Sequence, residues 1–320
     1  MKKTVIGLLL VSFLFAMWIA IMHSEANGDE LKGTVTISGA WALYPMTVKW
    51  AEEFQKVHPA VKVDVSAGGA GKGMVDCLSK IVDIGMVSRD VNPEETAKGA
   101  WWVSVTKDAV VPTVNAKNPL IKELLAKGVT KEIFSKIWIE GKITKWGEAM
   151  GGSEDPSLIH VYTRSDACGA SETWAKYLGN KQEDLLGVGV YGDPGLAEAV
   201  KKDVLGTGYN NINYLYDSKT KAPVEGLKPL PIDINGNGTI DKEEAFYNTS
   251  NEIVDAIATG RYPSPPTRAL QFVCGGKPTN KTVVEFIKWV LTDGQKYVPE
   301  AGYINLPSDV LQEQLKKLEI

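Results

Sequence analysis

The sequence predicts an α/β protein arranged as about two domains. Three observations carry this. The chain has 320 residues, 44% of them hydrophobic and 31 of them glycine, which suits a globular protein rich in turns. Short apolar or alternating runs are repeatedly followed by a small-residue turn and then by apolar residues at helical spacing. The ends of those runs carry glycines, hydroxyls or an arginine, and in open α/β sheets ligands sit beyond the carboxyl ends of the strands.

Residues 33–38 alternate like a strand and lead through residues 39–45 into a helix over 46–58. Pro45 suits a first helical turn, and Val48, Ala51, Phe54 and Val57 mark a buried face. Residues 61–66 form a second strand, followed by a glycine-rich turn (67–74) into a helix carrying Val75, Leu78 and Ile81. Such a turn exposes main-chain amides to an anion. It is not a Walker loop, because Gly73 stands where that loop needs Ser or Thr. A third strand over 82–87 ends in Ser88-Arg89-Asp90. In the second half, a strand over 158–163 ends at Arg164 and passes through Ser165, Asp166, Ala167 and Cys168 into a helix over 171–178. The amides of Gly169, Ala170 and Ser171 can converge on one spot, Arg164 can add a two-pronged bond, and Asp166 can orient it. An ordinary βα turn with a surface Arg–Asp pair would use the same residues. Four anion-friendly strand ends, near Ala42, Ala70, Ser88 and Arg164, favour a site.

Between these halves, residues 109–115 read as a strand whose Pro112 fits a bend, and thus as the crossing into the second domain. Helices are expected over 130–139, 196–203, 251–259, 282–292 and 308–318, an aromatic-rich strand over 212–216, and a returning strand over 268–274.

Residues 233–244 match the EF-hand calcium loop position by position. Oxygen ligands fall at Asp233, Asn235 and Asn237, the Thr239 carbonyl, Asp241 and the bidentate Glu244, with Gly238 at the sharp turn and Ile240 as the apolar anchor. The preceding residues 227–232 are extended and hold two prolines. The expectation is a lone structural Ca2+ loop; a polar Asn-Gly turn is the alternative.

Lys2 and Lys3 precede an apolar run over 4–22 and a small polar exit, so residues 1–28 read as an export signal or a retained N-terminal anchor. The chain is expected outside the cytoplasm, periplasmic or at the cell surface. The three cysteines allow at most one internal disulfide, and the formal charge of −4 provides no basic field for nucleic acid.

Taken in order, residues 38–45, 68–73, 83–89, 142–146, 164–171, 261–263 and 302–307 resemble the phosphate-binding proteins of high-affinity phosphate ABC importers. The resemblance implies a type II periplasmic-binding-protein fold, two lobes joined by two crossing strands. The lobes would be residues 33–109 with 267–320, and residues 110–266. It also implies a dehydrated phosphate held between the lobes and docking to an ABC permease. A monomer is expected, and the lack of paired catalytic carboxylates, a His cluster or a nucleophile elbow argues against an enzyme. Carried over by position, the phosphate contacts are Ala42, the amides of Leu43 and Tyr44, the Ala70–Gly71 turn, and Ser88 in the first lobe. The second lobe gives Arg164, held by Asp166, with Cys168, Gly169, Ala170 and Ser171. Leu43 and Ala70 stand where the family has hydroxyls, Cys168 replaces a serine, Ala170 a threonine, and Ser88 an aspartate found in some members. The alternatives are a binder of sulfate, arsenate or molybdate, a phosphate-ester hydrolase, and an anchored protein that kept the fold without tight binding.

Overall fold

The structure is a computed structural model that describes residues 30–152 and 154–319. The expected signal or anchor lies outside the described residues. Nine strands are present among them: β1 (Gly33–Gly39), β2 (Val61–Ala67), β3 (Ile84–Val87), β4 (Ala100–Asn115), β5 (His160–Arg164), β6 (Val188–Val190), β7 (Gly206–Asn211), β8 (Leu227–Pro229) and β9 (Thr267–Gly275). Their order is β2-β1-β3-β9-β4-β7-β5-β6, with β8 also on β4.

The pattern of burial follows position in the sheet. β2, at one end, alternates, with Val61 and Val63 inward and Lys62 and Asp64 outward. β3, flanked on both sides, is buried at every residue. β1 is parallel to β2 and β3, and β5 is parallel to β6 and β7, so each half brings its strand carboxyl ends to one edge. The halves are joined by β4 and β9, which run antiparallel along the whole of β9 and over Ala100 to Ala109 of β4. The buried apolar residues divide accordingly. One cluster holds Val35, Trp50, Phe54, Val103, Phe272 and Phe286; the other holds Val110, Phe134, Trp138, Trp174, Tyr209 and Tyr262. β4 contributes Val105 to the first and Ala109 to the second, and its register against β9 shifts between Ser104 and Thr106. A bulge there adds twist where the strand changes lobe.

Pro112 sits at that crossing. β9 pairs with β4 only as far as Ala109, and β8 begins at Thr113, so the proline lies where one neighbour hands over to the next. It needs no N–H there, and its carbonyl accepts from the Leu230 amide at 2.8 Å.

Two elements differ from expectation in ways that matter. The strand lies over Gly206–Asn211, whereas the aromatic segment after it is a helical turn, Ile212–Leu215. β7 is buried throughout, and a Cβ on Gly208 would press on Val200 at 2.9 Å, so it lacks the alternating pattern that marks a half-exposed strand. The helix expected from residue 196 begins at Gly192, which places Asp193 in its first turn.

Candidate anion-binding site

The first lobe offers three turns on one edge. Gly39, Gly73 and Met86 approach so closely that a Cβ on either glycine would overlap the Met86 carbonyl. This packing explains why Gly73 is a glycine and gathers the ends of β1 and β3 with the helix Ala70–Leu78. Within the first turn, Leu43 donates to the Ala40 carbonyl at 3.1 Å and Tyr44 donates to Ala40 and Trp41. Those two amides, expected to face the ligand, are therefore consumed by the turn itself. The amides left without a main-chain partner among the described residues are one step earlier, at Trp41 and Ala42. Ala42 is buried, and its carbonyl accepts from the Tyr303 hydroxyl at 2.7 Å. The glycine-rich turn directs Gly68 and Gly69 to the Gly39 carbonyl and Gly71 to the Ala167 carbonyl, leaving Ala70 uncommitted. Ser88 follows β3 and is buried.

The second lobe supplies the charge. Arg164 closes β5 with a fully buried side chain. Its Nε and Nη2 donate to the two Asp166 carboxylate oxygens at 2.8 and 2.6 Å, and its Nη1 donates to Asp193 Oδ2 at 2.5 Å. Three of the five guanidinium N–H groups are thus used. The other two, one on each terminal nitrogen, remain for a ligand. The helix Gly169–Tyr177 starts beside it. Its Ser171 amide turns to Cys168 Sγ at 3.5 Å, while Gly169 and Ala170 keep theirs free. Gln182 clamps the approach, accepting from the Cys168 amide at 3.3 Å and donating to the Asp166 carbonyl at 2.9 Å.

The two halves meet. A Cβ on Gly169 would overlap both the carbonyl and the hydroxyl of Ser88. Gly71 donates to Ala167 at 3.1 Å, Tyr214 Oη donates to the Trp41 carbonyl at 3.0 Å, and Arg89 pairs with Glu172 at 3.0 Å. The Trp41 indole also stands edge-on to Tyr191, beside Gly192. Ala42, Ala70, Gly169 and Ala170 therefore present buried, uncommitted amides in the contact zone around Arg164. Buried amides are nearly always paired, so four together mark a place built for an acceptor.

Burial pulls the Arg164 pKa down, but the carboxylates of Asp193 and Asp166 outweigh it and hold the group above its ordinary value. Burial pushes the Cys168 thiol up, against the pull of Arg164. The thiol therefore offers a weak S–H rather than a thiolate. Its sulfur meets Ser171 Oγ at 3.2 Å, and Ser171 Oγ meets Tyr209 Oη at 2.7 Å. The three cysteines are free and buried.

Asp193 was not among the residues expected here. Asn211 Nδ2 donates to its Oδ1 at 2.6 Å, and Asn211 in turn accepts from Arg268. Arg268 lies opposite Asp108 across the joining strands and pairs with it at 3.5 Å. A continuous buried polar chain thus runs from the hinge to Arg164. The signal available in the sequence was an acidic residue in a Gly-Asp-Pro-Gly turn after a short strand.

The family model described as the PBP superfamily domain matches residues 24–294. The phosphate-binding protein PstS of Methanocaldococcus jannaschii is 28% identical, covering 90% of this chain and 87% of its own. The PstS of Bacillus subtilis is 30% identical, covering 72% of this chain and 78% of its own. Among solved structures, a Clostridium perfringens chain described, with bound phosphate, as a candidate phosphate ABC transporter substrate-binding protein superposes with a TM-score of 0.69. It is 22% identical, covering 86% of this chain and all of its own. A Vibrio cholerae ABC-type phosphate transport receptor superposes with a TM-score of 0.61 at 21% identity over the same 86% of this chain and all of its own. The chain has the two-lobed α/β fold of these binding proteins, and it belongs to the PBP superfamily and, within it, to the PstS family of phosphate-binding proteins.

Proposed function

We propose that this chain is an exported solute-binding protein that captures inorganic phosphate between its lobes and delivers it to the membrane permease of an ABC importer. The observation that carries this is Arg164, buried, held by two carboxylates and left with two free N–H groups beside uncommitted amides from both lobes. A multiply charged oxyanion that sheds its water must recover those bonds from the protein. Amides and a guanidinium supply them without any titration. Because the contacts come from both lobes, the ligand favours the closed arrangement, and that shape is what a permease can read.

The site is a binding site and not a catalytic one. A thiol hydrolase needs a base beside its nucleophile. Cys168 lies against Ser171, while His160 is engaged with Asp203 at 2.7 Å and the His58 ring packs tilted against Phe54. The protein acts as a monomer outside the cytoplasm and has no part in nucleic-acid binding.

One observation favours a second reading, a related oxyanion such as sulfate, arsenate or molybdate. Ser88 can donate or accept, so it does not by itself demand a proton on the ligand, as a carboxylate there would. Competition calorimetry from pH 5 to 8 tests the proposal. Phosphate binding that an equal concentration of sulfate fails to displace supports it. Displacement by sulfate transfers the assignment to the second reading.

A further inference from the structure

We infer that residues 233–244 form a calcium-binding staple on the second lobe, separate from the anion site. The sequence places oxygen donors at positions 1, 3, 5, 7, 9 and 12 of this loop. The chain folds around them accordingly. Asp233 accepts from the Gly236 amide at 2.7 Å and the Gly238 amide at 2.9 Å, and both glycines take positive φ, 73° and 80°. That conformation is open to glycine at little cost. Asn235 and Asn237 each accept from the amide two residues on, at 3.0 and 2.9 Å.

Loop geometry alone would also suit a polar turn. Glu244 separates the two readings. It is 4% exposed, and its Oε1 accepts from the Ile234 and Asn235 amides at 2.8 and 3.1 Å, which holds the carboxylate over the start of the loop. Its Oε2 is buried with no hydrogen-bond partner. A carboxylate oxygen sealed from water and unpaired is costly, and a cation is the partner that removes the cost. This oxygen belongs to the residue that supplies the bidentate ligand in such loops.

The donor chemistry selects the cation. Among the described residues no group of three or more His, Cys, Asp or Glu side chains stands close enough to hold a metal ion, so the carboxylates of this loop would have to draw together on binding. The set mixes carboxylates with amide and main-chain oxygens. Oxygen-only ligands in a flexible loop suit calcium; zinc prefers nitrogen and sulfur.

The loop is tied into the lobe at several points. Ile240 donates its amide to the Ala126 carbonyl at 2.8 Å and rests against Gly128, where a Cβ would overlap it. The Ile232 amide donates to Tyr247 Oη at 3.1 Å, and Tyr247 lies in the second-lobe core. No helix flanks the loop on its amino side, where β8 and two prolines precede it. Calcium would therefore hold a crossover in place; it would not swing a helix.

The test uses the full chain, stripped with a chelator and exchanged into phosphate-free buffer, titrated with CaCl2 by calorimetry and then melted with Ca2+, Mg2+ or chelator. The expected result is one site with a dissociation constant on the order of 10⁻⁴–10⁻³ M, and a melting temperature raised by Ca2+ but not matched by Mg2+. Glu244→Gln weakens Ca2+ binding at least tenfold and leaves phosphate binding unchanged. Should that variant fold poorly, Asn237→Ala, on an exposed residue, carries the same expectation. No heat and no shift in the wild-type chain at about 10 mM Ca2+ overturns the inference. So does undiminished Ca2+ binding in both variants, which would place the ion elsewhere.

Discussion

Arg164 Nη1 donates to Asp193 Oδ2 across 2.5 Å, and both side chains are sealed from solvent. The two residues are 29 positions apart, one closing β5 and the other opening the helix Gly192–Lys202. The bond fixes the guanidinium from the side that Asp166 does not reach.

Asp193→Asn is expected to destabilise the fold more than Asp166→Asn. Asp193 is 1% exposed and its two oxygens serve Arg164 and Asn211, whereas the Asp166 side chain retains 10% exposure. Breaking a buried pair by neutralising one partner costs roughly 3–5 kcal/mol, and the loss shrinks as water reaches the site. Denaturant unfolding of the two variants checks the order. Equal losses would mean that Asp193 holds no special place.

Gly169→Ala is expected to weaken phosphate binding at least about a hundredfold while leaving the melting temperature of the ligand-free protein close to that of the wild type. Alanine favours a helix over glycine by roughly 0.8–1 kcal/mol, so the second lobe itself does not suffer. The added methyl would overlap Ser88 only when the lobes meet. Calorimetry with small-angle scattering checks this, and normal affinity with full ligand-induced compaction would exclude the contact from closure.

A pH effect should arise at the hinge. Burial pushes the Asp108 carboxyl up to about 6, only partly opposed by Arg268. The native state then holds this proton in a range where the unfolded chain has released it. Stability from this group is present at low pH and falls as pH rises from about 4 to about 6, then levels off. Asp76, Glu95 and Asp203 have lowered values and act in the opposite sense, so the difference between wild type and Asp108→Asn isolates the effect. A flat difference in unfolding free energy between pH 4 and 6 would refute it.

Part of this site is legible in the sequence alone. The segment from Arg164 to Ser171 was legible because a strand end, a charged fork and small residues at a helix start are all local signals. The first-lobe turn was legible only to within one residue. Which amides face outward depends on Ala40, whose carbonyl takes both Leu43 and Tyr44, and sequence does not reveal that closure. Asp193 is not legible in the sequence, because its role comes from a partner 29 residues away; alone, Gly-Asp-Pro-Gly reads as a turn. The aromatic segment after β7 reads as a strand because alternating Ile, Tyr and Tyr fit a two-residue period, while the buried strand before it, Gly-Thr-Gly-Tyr-Asn-Asn, shows no such alternation.

The most direct test is calorimetric titration of phosphate into Arg164→Ala, run well below the melting temperature, with far-UV circular dichroism to confirm that the lobes are folded. The melt should fall, since two carboxylates lose their buried partner. Binding that drops below detection is the predicted result. Phosphate affinity equal to that of the wild type in a folded variant would contradict the account.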